Sequence, residues 1–261
     1  MKSMWKMMCF VVVAGLCIGS SGYAGVLFSD TFECEAEFDV QDLQNEACDA
    51  GRSGTYAASG YLQSPDGWTY QHQVRTTNEL LLYDGKATPN VDMSGSDSAG
   101  GFSVSVDINP ASGLAPTAGD WLGIVVGGSG LNDVWADGFG VLFRKNGTIQ
   151  AWDNGANIVS DNVTWNSTPD DVYHNLQIVA ADATDGNPFD GVGTTTFEIF
   201  IDGSSVYSVD LDGANYPENY VTLQGQANGF YDNLVISQVP EPTTLMLLGL
   251  GAVSMRMRRR R

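Results

Sequence analysis

Side chains that could do acid–base or nucleophilic chemistry are few and scattered in this sequence. It has two histidines, His72 and His174, and no Gly-x-Ser-x-Gly or His-Glu-x-x-His pattern. Carboxylates are abundant, but retaining glycoside hydrolysis needs two of them about 5–5.5 Å apart. Residues 35–39 carry acids in an unsuitable order, and Glu198 and Asp202 flank a hairpin. The sequence therefore predicts a protein without catalytic residues, with unfamiliar catalysis left open.

Ligand binding is the second chemistry that the sequence offers. Trp68, Tyr70 and His72 alternate, so in a strand they share one face, and Arg75 follows. Aromatic rings pack on the apolar faces of sugars, while guanidinium and amide groups bond hydroxyls. The alternative is that these aromatic side chains belong to the core of a β-sandwich, where large rings are common.

A second candidate for stacking on a ligand is Trp135. It lies between Asp133 and Asp137 in a glycine-rich segment. The alternative is that it covers an edge of the core. Both readings predict a loop that carries a large ring.

Charge limits the partners of residues 25–238. This region has five basic and 30 acidic residues, a net charge of −25. Such a surface repels nucleic acid and other anionic polymers and favours solubility and cation binding. We expect no nucleic-acid partner.

The elements that would position these residues are strands. Apolar residues alternate with polar ones over residues 102–108, 139–151 and 197–211. Asn146-Gly147 and Asp202-Gly203 interrupt the last two runs and indicate tight hairpin turns. The sequence predicts an all-β fold, a single two-sheet antiparallel sandwich over residues 25–238.

Residues 1–24 are typical of a secretory signal helix. Lys2 and Lys6 precede an apolar stretch, and small residues at Gly22 and Ala24 suit a signal peptidase that cuts after Ala24. An uncleaved anchor is the alternative.

Removal of the signal would leave Cys34 and Cys48. A cysteine pair in an exported chain predicts a disulfide, which would close a loop of about 15 residues and contribute about 3 kcal/mol in the chain-entropy model. No nearby histidine or Cys-x-x-Cys pattern supports a metal site instead.

The C-terminal segment, residues 239–261, combines three features. Pro240-Glu241-Pro242 is followed by an apolar stretch and then an arginine cluster. As a helix, residues 245–255 would be about 16 Å long at 1.5 Å per residue, short for a bilayer core of about 30 Å. Arginines stay on the cytoplasmic side, so the tail would insert transiently with the domain outside.

This ordered pattern resembles the PEP-CTERM sorting signal. The residues that carry the resemblance are Pro240, Glu241, Pro242, Arg258, Arg259, Arg260 and Arg261. The resemblance implies processing by an exosortase, in bacteria that make extracellular polysaccharide. Pro-Glu-Pro would then be the substrate site of another enzyme.

The order of segments between the two signals resembles the concanavalin A-like lectin/glucanase, or laminin-G-like, jelly roll. The segments are residues 26–33, 171–182, 195–211 and 228–237. Asp232 alternates in phase with Leu234 and Ile236, so we expect it to point where they point. The resemblance implies a structural calcium held by Asp30 and Asp232; the alternative is an aspartate that caps a turn.

Together these features predict an exported surface or matrix protein that is sorted through its tail. It would be a non-enzymatic carbohydrate-binding or structural component of the cell envelope or the extracellular matrix, with extracellular polysaccharide as partner. The alternative is a degenerate or unfamiliar glycoside hydrolase of the same fold.

Overall fold

The computed structural model describes a set of segments between residues 25 and 239. They are residues 25–32, 41–42, 56–59, 62–63, 69–70, 73–74, 80–82, 85–89, 101–110, 121–131, 133–166, 172–182, 188–216, 220–226 and 229–239. The predicted signal helix, the predicted C-terminal helix and the disulfide between Cys34 and Cys48 lie outside these residues. Within them, no helix is long and apolar enough to span a bilayer.

All of the named elements in these segments are β-strands. In chain order they are β1 Val26–Asp30, β2 Gln41–Asp42, β3 Tyr56–Ser59, β4 Leu62–Gln63, β5 Thr69–Tyr70, β6 Gln73–Val74, β7 Leu80–Leu82, β8 Gly85–Pro89, β9 Gly101–Asn109, β10 Trp121–Gly128, β11 Phe139–Arg144, β12 Thr148–Asp153, β13 Ala156–Thr164, β14 His174–Asp182, β15 Thr194–Ile201, β16 Ser204–Asp212, β17 Tyr220–Gln226 and β18 Gly229–Gln238.

The strands form two main antiparallel sheets. The nine-stranded sheet has the order β16-β15-β14-β9-β18-β7-β6-β2, with β1 also beside β18. The seven-stranded sheet has the order β13-β12-β11-β10-β17-β8-β3, and β4 and β5 form a separate pair. The predicted all-β, two-sheet antiparallel sandwich is confirmed.

The core lies between the two sheets because each long strand turns its apolar residues inward. In β10 the inward side chains are Leu122, Ile124 and Val126, all fully buried. Across the core, the rings of Phe139 and Phe197 stack with centroids 4.1 Å apart. Burial of such side chains contributes about 1.5–3 kcal/mol each.

Both predicted hairpins are present. Gly147 has a φ of 83° between β11 and β12. Asp202 and Gly203 have φ angles of 49° and 74° and connect Ile201 to its partner Ser204. Two residues with positive φ make a turn whose twist matches the strands it joins.

The first and last described strands are neighbours. β1 and β18 pair antiparallel, with Val26 opposite Ser237. The backbone N–H of Gln238 donates to the Gly25 carbonyl at 3.0 Å, and that of Val239 donates to the Gly101 carbonyl at 2.8 Å. The predicted start of the mature chain therefore lies beside the end of β18.

Candidate functional site on the outer face of the seven-stranded sheet

The outer face of the seven-stranded sheet carries the side chains that alternate with its core residues. They include aromatic, amide, hydroxyl, cationic and aliphatic side chains: Lys86, Thr88, Trp121, Val125, Leu142, Arg144, Gln150, Trp152, Thr222, Gln224 and Gln226. Register brings distant parts of the chain together here. Trp121 lies opposite Arg144 on β11 and opposite Gln226 on β17.

Three tryptophans form a cluster on this face, which we call the tryptophan cluster. The Trp135 ring contacts Trp121 and Trp152 edge-on, with centroids 5.8 Å and 6.5 Å apart. Trp121 is buried, whereas Trp135 keeps 45% of its surface exposed. The Trp121 indole N–H donates to the side-chain oxygen of Gln226. An exposed ring thus rests on two tryptophans that the strands fix in place.

Residues 129–131 and 133–138, the covering loop, carry Trp135 across this face. Val134 of the loop is buried against β10 and β11, where the sheet has glycines. A Cβ atom on Gly140 would lie 1.8 Å from the Val134 carbonyl oxygen, and one on Gly123 would lie 2.6 Å from Val134 Cγ1. Gly140 therefore allows the loop backbone to lie directly on β11, and Gly123 makes room on β10 for the Val134 side chain.

Polar contacts from two strands hold the covering loop. Gln224 accepts from the Val134 N–H at 3.0 Å and donates to Asp133 Oδ1 at 2.9 Å. Lys86 Nζ lies 2.8 Å from the same carboxylate oxygen. Thr88 accepts from the Leu131 N–H at 3.0 Å. These four contacts fix the loop on the side nearest β17 and β8.

The same contacts control the ionisation of Asp133. Burial of the carboxylate opposes ionisation, but hydrogen bonds from Lys86 and Gln224 and the lysine charge outweigh it. They hold the pKa of Asp133 below its ordinary value. At neutral pH this carboxylate is an anion and carries no proton to donate.

Charge differs between the two outer faces of the sandwich. In the described segments, the basic side chains are Lys86, Arg144 and Lys145, all on the seven-stranded sheet or its β11–β12 turn. The outer face of the nine-stranded sheet carries acids such as Asp107 and Asp210, which accept hydrogen bonds from Asn175 and Thr196. The tryptophan cluster therefore lies on the less acidic side of a very acidic protein.

The structure places one of the predicted sugar-stacking residues in this site. Trp135 lies on the outer face of the sheet and is 45% exposed, and its role in stacking on a ligand stays a prediction. Trp68, His72 and Arg75 lie outside the described residues, and Tyr70 is described only as part of β5. Their predicted role in binding stays a prediction.

Asp30 and Asp232, the predicted calcium ligands, lie on opposite faces of the nine-stranded sheet. Asp30 is fully buried in phase with Phe28, and accepts from the Phe32 N–H at 2.8 Å. At Asn233, which has a φ of 52°, a bulge shifts the phase of β18, so Tyr231 and Leu234 face the core. Asp232 therefore does not point with Leu234, as alternation alone predicts.

The bulge places Asp232 on the face of the sheet opposite to Asp30. Asp232 accepts from the Asn233 N–H at 2.7 Å on the outer side. Among the residues that the structure describes, no three His, Cys, Asp or Glu side chains gather as metal ligands. A calcium ion at Asp30 and Asp232 stays a prediction from resemblance.

His174, one of the two histidines, has a packing role. Its Nδ1 lies 2.8 Å from Asp202 Oδ2, and its ring contacts Trp165 edge-on at 5.4 Å. Burial opposes ionisation of Asp202, but hydrogen bonds from His174 and the Asn175 N–H lower the pKa of the carboxyl. The pair ties the start of β14 to the β15–β16 turn.

Trp121 and Trp152 were not among the sequence candidates. Each occupies the phase opposite to the buried residues of its strand: Trp121 against Leu122, and Trp152 against Ala151. A large aromatic residue in the outward phase of a strand is a signal that the sequence contains. The proximity of Trp121 and Trp152 could not be predicted, because it depends on the order of strands in the sheet.

Comparison with known families supports the reading of the C-terminal segment. Residues 238–261 match the model of the PEP-CTERM protein-sorting motif. The predicted sorting motif is thus confirmed, and it indicates an exported protein that is processed at the cell envelope. No curated protein matches the chain.

Several solved structures are similar in fold. The exoplasmic/lumenal domain of VIP36 in its Ca²⁺/Man2-bound form is 11% identical, with a TM-score of 0.45 over 70% of this chain and 81% of that chain. The metal-free Emp46p carbohydrate recognition domain is 10% identical, with a TM-score of 0.44 over 71% and 88%. The alginate lyase Aly36B in complex with alginate trisaccharide is 14% identical, with a TM-score of 0.44 over 70% and 88%. Likeness at this level carries no conclusion about ligands.

Proposed function

We propose that this is an exported surface or matrix protein that binds extracellular polysaccharide through the tryptophan cluster and catalyses no reaction. Residues 1–24 direct export and are removed after Ala24. The PEP-CTERM tail is then removed by an exosortase-type enzyme. The processed domain is retained in the cell envelope or released into the matrix.

The observation that carries the binding proposal is the exposure of Trp135 on two supporting tryptophans. Trp135 keeps 45% of its surface exposed and is grouped with Trp121 and Trp152, and exposed apolar surface that is grouped in this way is typical of ligand-binding sites. Flat apolar faces of sugar rings are suitable partners for an indole. The neighbouring Arg144, Gln150 and Gln226 supply donors and acceptors for hydroxyl groups.

Rigidity of the site also supports binding. The covering loop is held by Gln224, Lys86 and Thr88, so Trp135 loses little conformational freedom when a ligand arrives. A binding surface that is ordered before the ligand binds avoids part of the entropic cost of association.

The carboxylates nearest to the cluster favour a binding role over hydrolysis. Asp133 is held as an anion by Lys86 and Gln224. Asp137 accepts from the Ser129 hydroxyl at 2.8 Å. Glycoside hydrolysis needs one carboxyl group that keeps its proton near neutral pH, whereas the contacts of Asp133 lower its pKa.

Affinity electrophoresis of the processed protein, in gels that contain polysaccharide from its host, tests the proposal. We expect retardation of the wild type and at least a tenfold weaker interaction for Trp135→Ala, a factor that corresponds to about 1.4 kcal/mol. Val192→Ala is the control, because Val192 is 54% exposed and lies in the turn before β15, outside the cluster.

Unchanged retardation of Trp135→Ala would refute the assignment of the site. Release of reducing ends from the polysaccharide by the wild type would refute the non-enzymatic part. Circular dichroism of each variant separates loss of binding from loss of the fold.

A further inference from the structure

The end of β18 is paired on both of its sides. Ser237 lies opposite Val26 of β1 and opposite Ser103 of β9. One residue further, Gln238 donates to Gly25, and Val239 donates to Gly101. Partners in an antiparallel pair have Cα atoms about 4.5–5.5 Å apart, so the predicted start of the mature chain lies beside the residues that lead into the sorting motif.

No spacer separates this paired end from the sorting motif. The motif match begins at residue 238, inside β18, and Pro240 follows Val239 directly. Many proteases and peptide-binding proteins hold their substrate as an added strand, which requires free backbone groups. The N–H groups of Gln238 and Val239 are already used within the domain, and each can satisfy one acceptor at a time.

We propose that Gly25, Gly101, Gln238 and Val239 form a clamp that withholds the sorting motif from its processing enzyme until the end of β18 detaches. The inference rests on the sorting function proposed above. Removal of the tail breaks one peptide bond, with water or an acceptor amine as the incoming group. The clamp changes access to that bond and leaves its chemistry unaltered.

The experiment lengthens the chain between the clamp and the motif. Gly-Ser-Gly-Ser is inserted between Val239 and Pro240 of the full chain, which is expressed in its native host. The control carries the same insertion between Asp202 and Gly203, in an exposed turn where nothing lies within 4 Å of a Cβ on Gly203. Pulse–chase labelling and intact mass give the half-time of tail removal.

We expect tail removal to be about tenfold faster with the spacer at Val239 and unchanged in the control. An equal rate for wild type and spacer variant would overturn the clamp. A slower rate would also overturn it, because the enzyme would then read the motif together with the sheet end. Resistance of the domain to added protease shows that each variant is folded.

Failure of the sorting function gives a different result. In that case the wild type, the spacer variant and the control all keep the tail. Tail removal at one common rate leaves the sorting function intact and overturns only the clamp.

Discussion

The contact between Gly140 and the covering loop allows a quantitative test of how the site is built. In Gly140→Ala, the new Cβ would lie 1.8 Å from the Val134 carbonyl oxygen, whereas ordinary contact begins at 3.4 Å. The loop must therefore move away by about 1.6 Å, because the obstacle is backbone and close-packed interiors do not absorb such an overlap.

A movement of this size breaks the hydrogen bond from the Val134 N–H to Gln224 and exposes the Val134 side chain, which is 1% exposed in the native protein. The bond contributes about 1 kcal/mol. Burial of the valine contributes about 1.5–3 kcal/mol. We expect Gly140→Ala to lower the free energy of unfolding by about 2.5–4 kcal/mol.

Urea unfolding measures the free energy, and acrylamide quenching of tryptophan fluorescence reports whether the cluster opens. Gly123→Ala is the comparison, because its Cβ meets the side chains of Val134, Leu142 and Trp121, which can adjust. We expect a smaller loss for it. A loss below about 0.5 kcal/mol for Gly140→Ala, with unchanged quenching, would refute the account of the loop, since only surface substitutions away from packed features behave so.

Two further changes test other parts of the structure. The folded-state pKa of Asp133 is below its ordinary value of 3.8, so its contacts stabilise the fold above that pH and are lost as the pH falls through the lowered pKa. We expect Asp133→Asn to be less stable than wild type in thermal unfolding at pH 7, with a difference that starts to shrink as the pH falls below 3.8 and vanishes only below the lowered folded-state pKa; a constant difference would contradict this. Tyr231→Phe removes the buried hydroxyl that lies 2.7 Å from the Gly123 carbonyl oxygen and 2.8 Å from that of Gln224. We expect a loss of about 1–3 kcal/mol in urea unfolding, and a neutral change would contradict the role of this bridge between the sheets.

Local signals in the sequence were sufficient for the class of fold. Alternation placed β9, β11, β15 and β16 because each strand packs one face, fully or partly buried, on the core, and the period of a strand is two. Asn146-Gly147 and Asp202-Gly203 located two hairpins, since both turns need residues that tolerate positive φ. The C-terminal motif could also be predicted from local sequence, because its three features follow one another along the chain.

The site was only partly predictable. Trp135 was identifiable as a large ring in a glycine-rich segment. Its support by Trp121 and Trp152 depends on β12, β11 and β10 lying side by side, which no local pattern encodes. The fixed loop depends on Lys86 and Gln224, which lie far from Asp133 in sequence.

The phase of Asp232 was predicted wrongly for a related reason. Strict alternation continues through Leu234 only if β18 is regular, but Asn233 adopts a left-handed conformation and inserts one residue. A bulge of this kind moves every later side chain to the other face. Asn adopts positive φ more readily than most residues, which explains why the bulge occurs at Asn233.

The most direct test of the central claim is the affinity electrophoresis of wild type and Trp135→Ala in the presence of polysaccharide from the host. The tryptophan cluster as a binding site predicts that the wild type is retarded in proportion to polysaccharide concentration and that Trp135→Ala migrates almost freely. Equal migration of the two proteins, whether both are retarded or both are free, would contradict it.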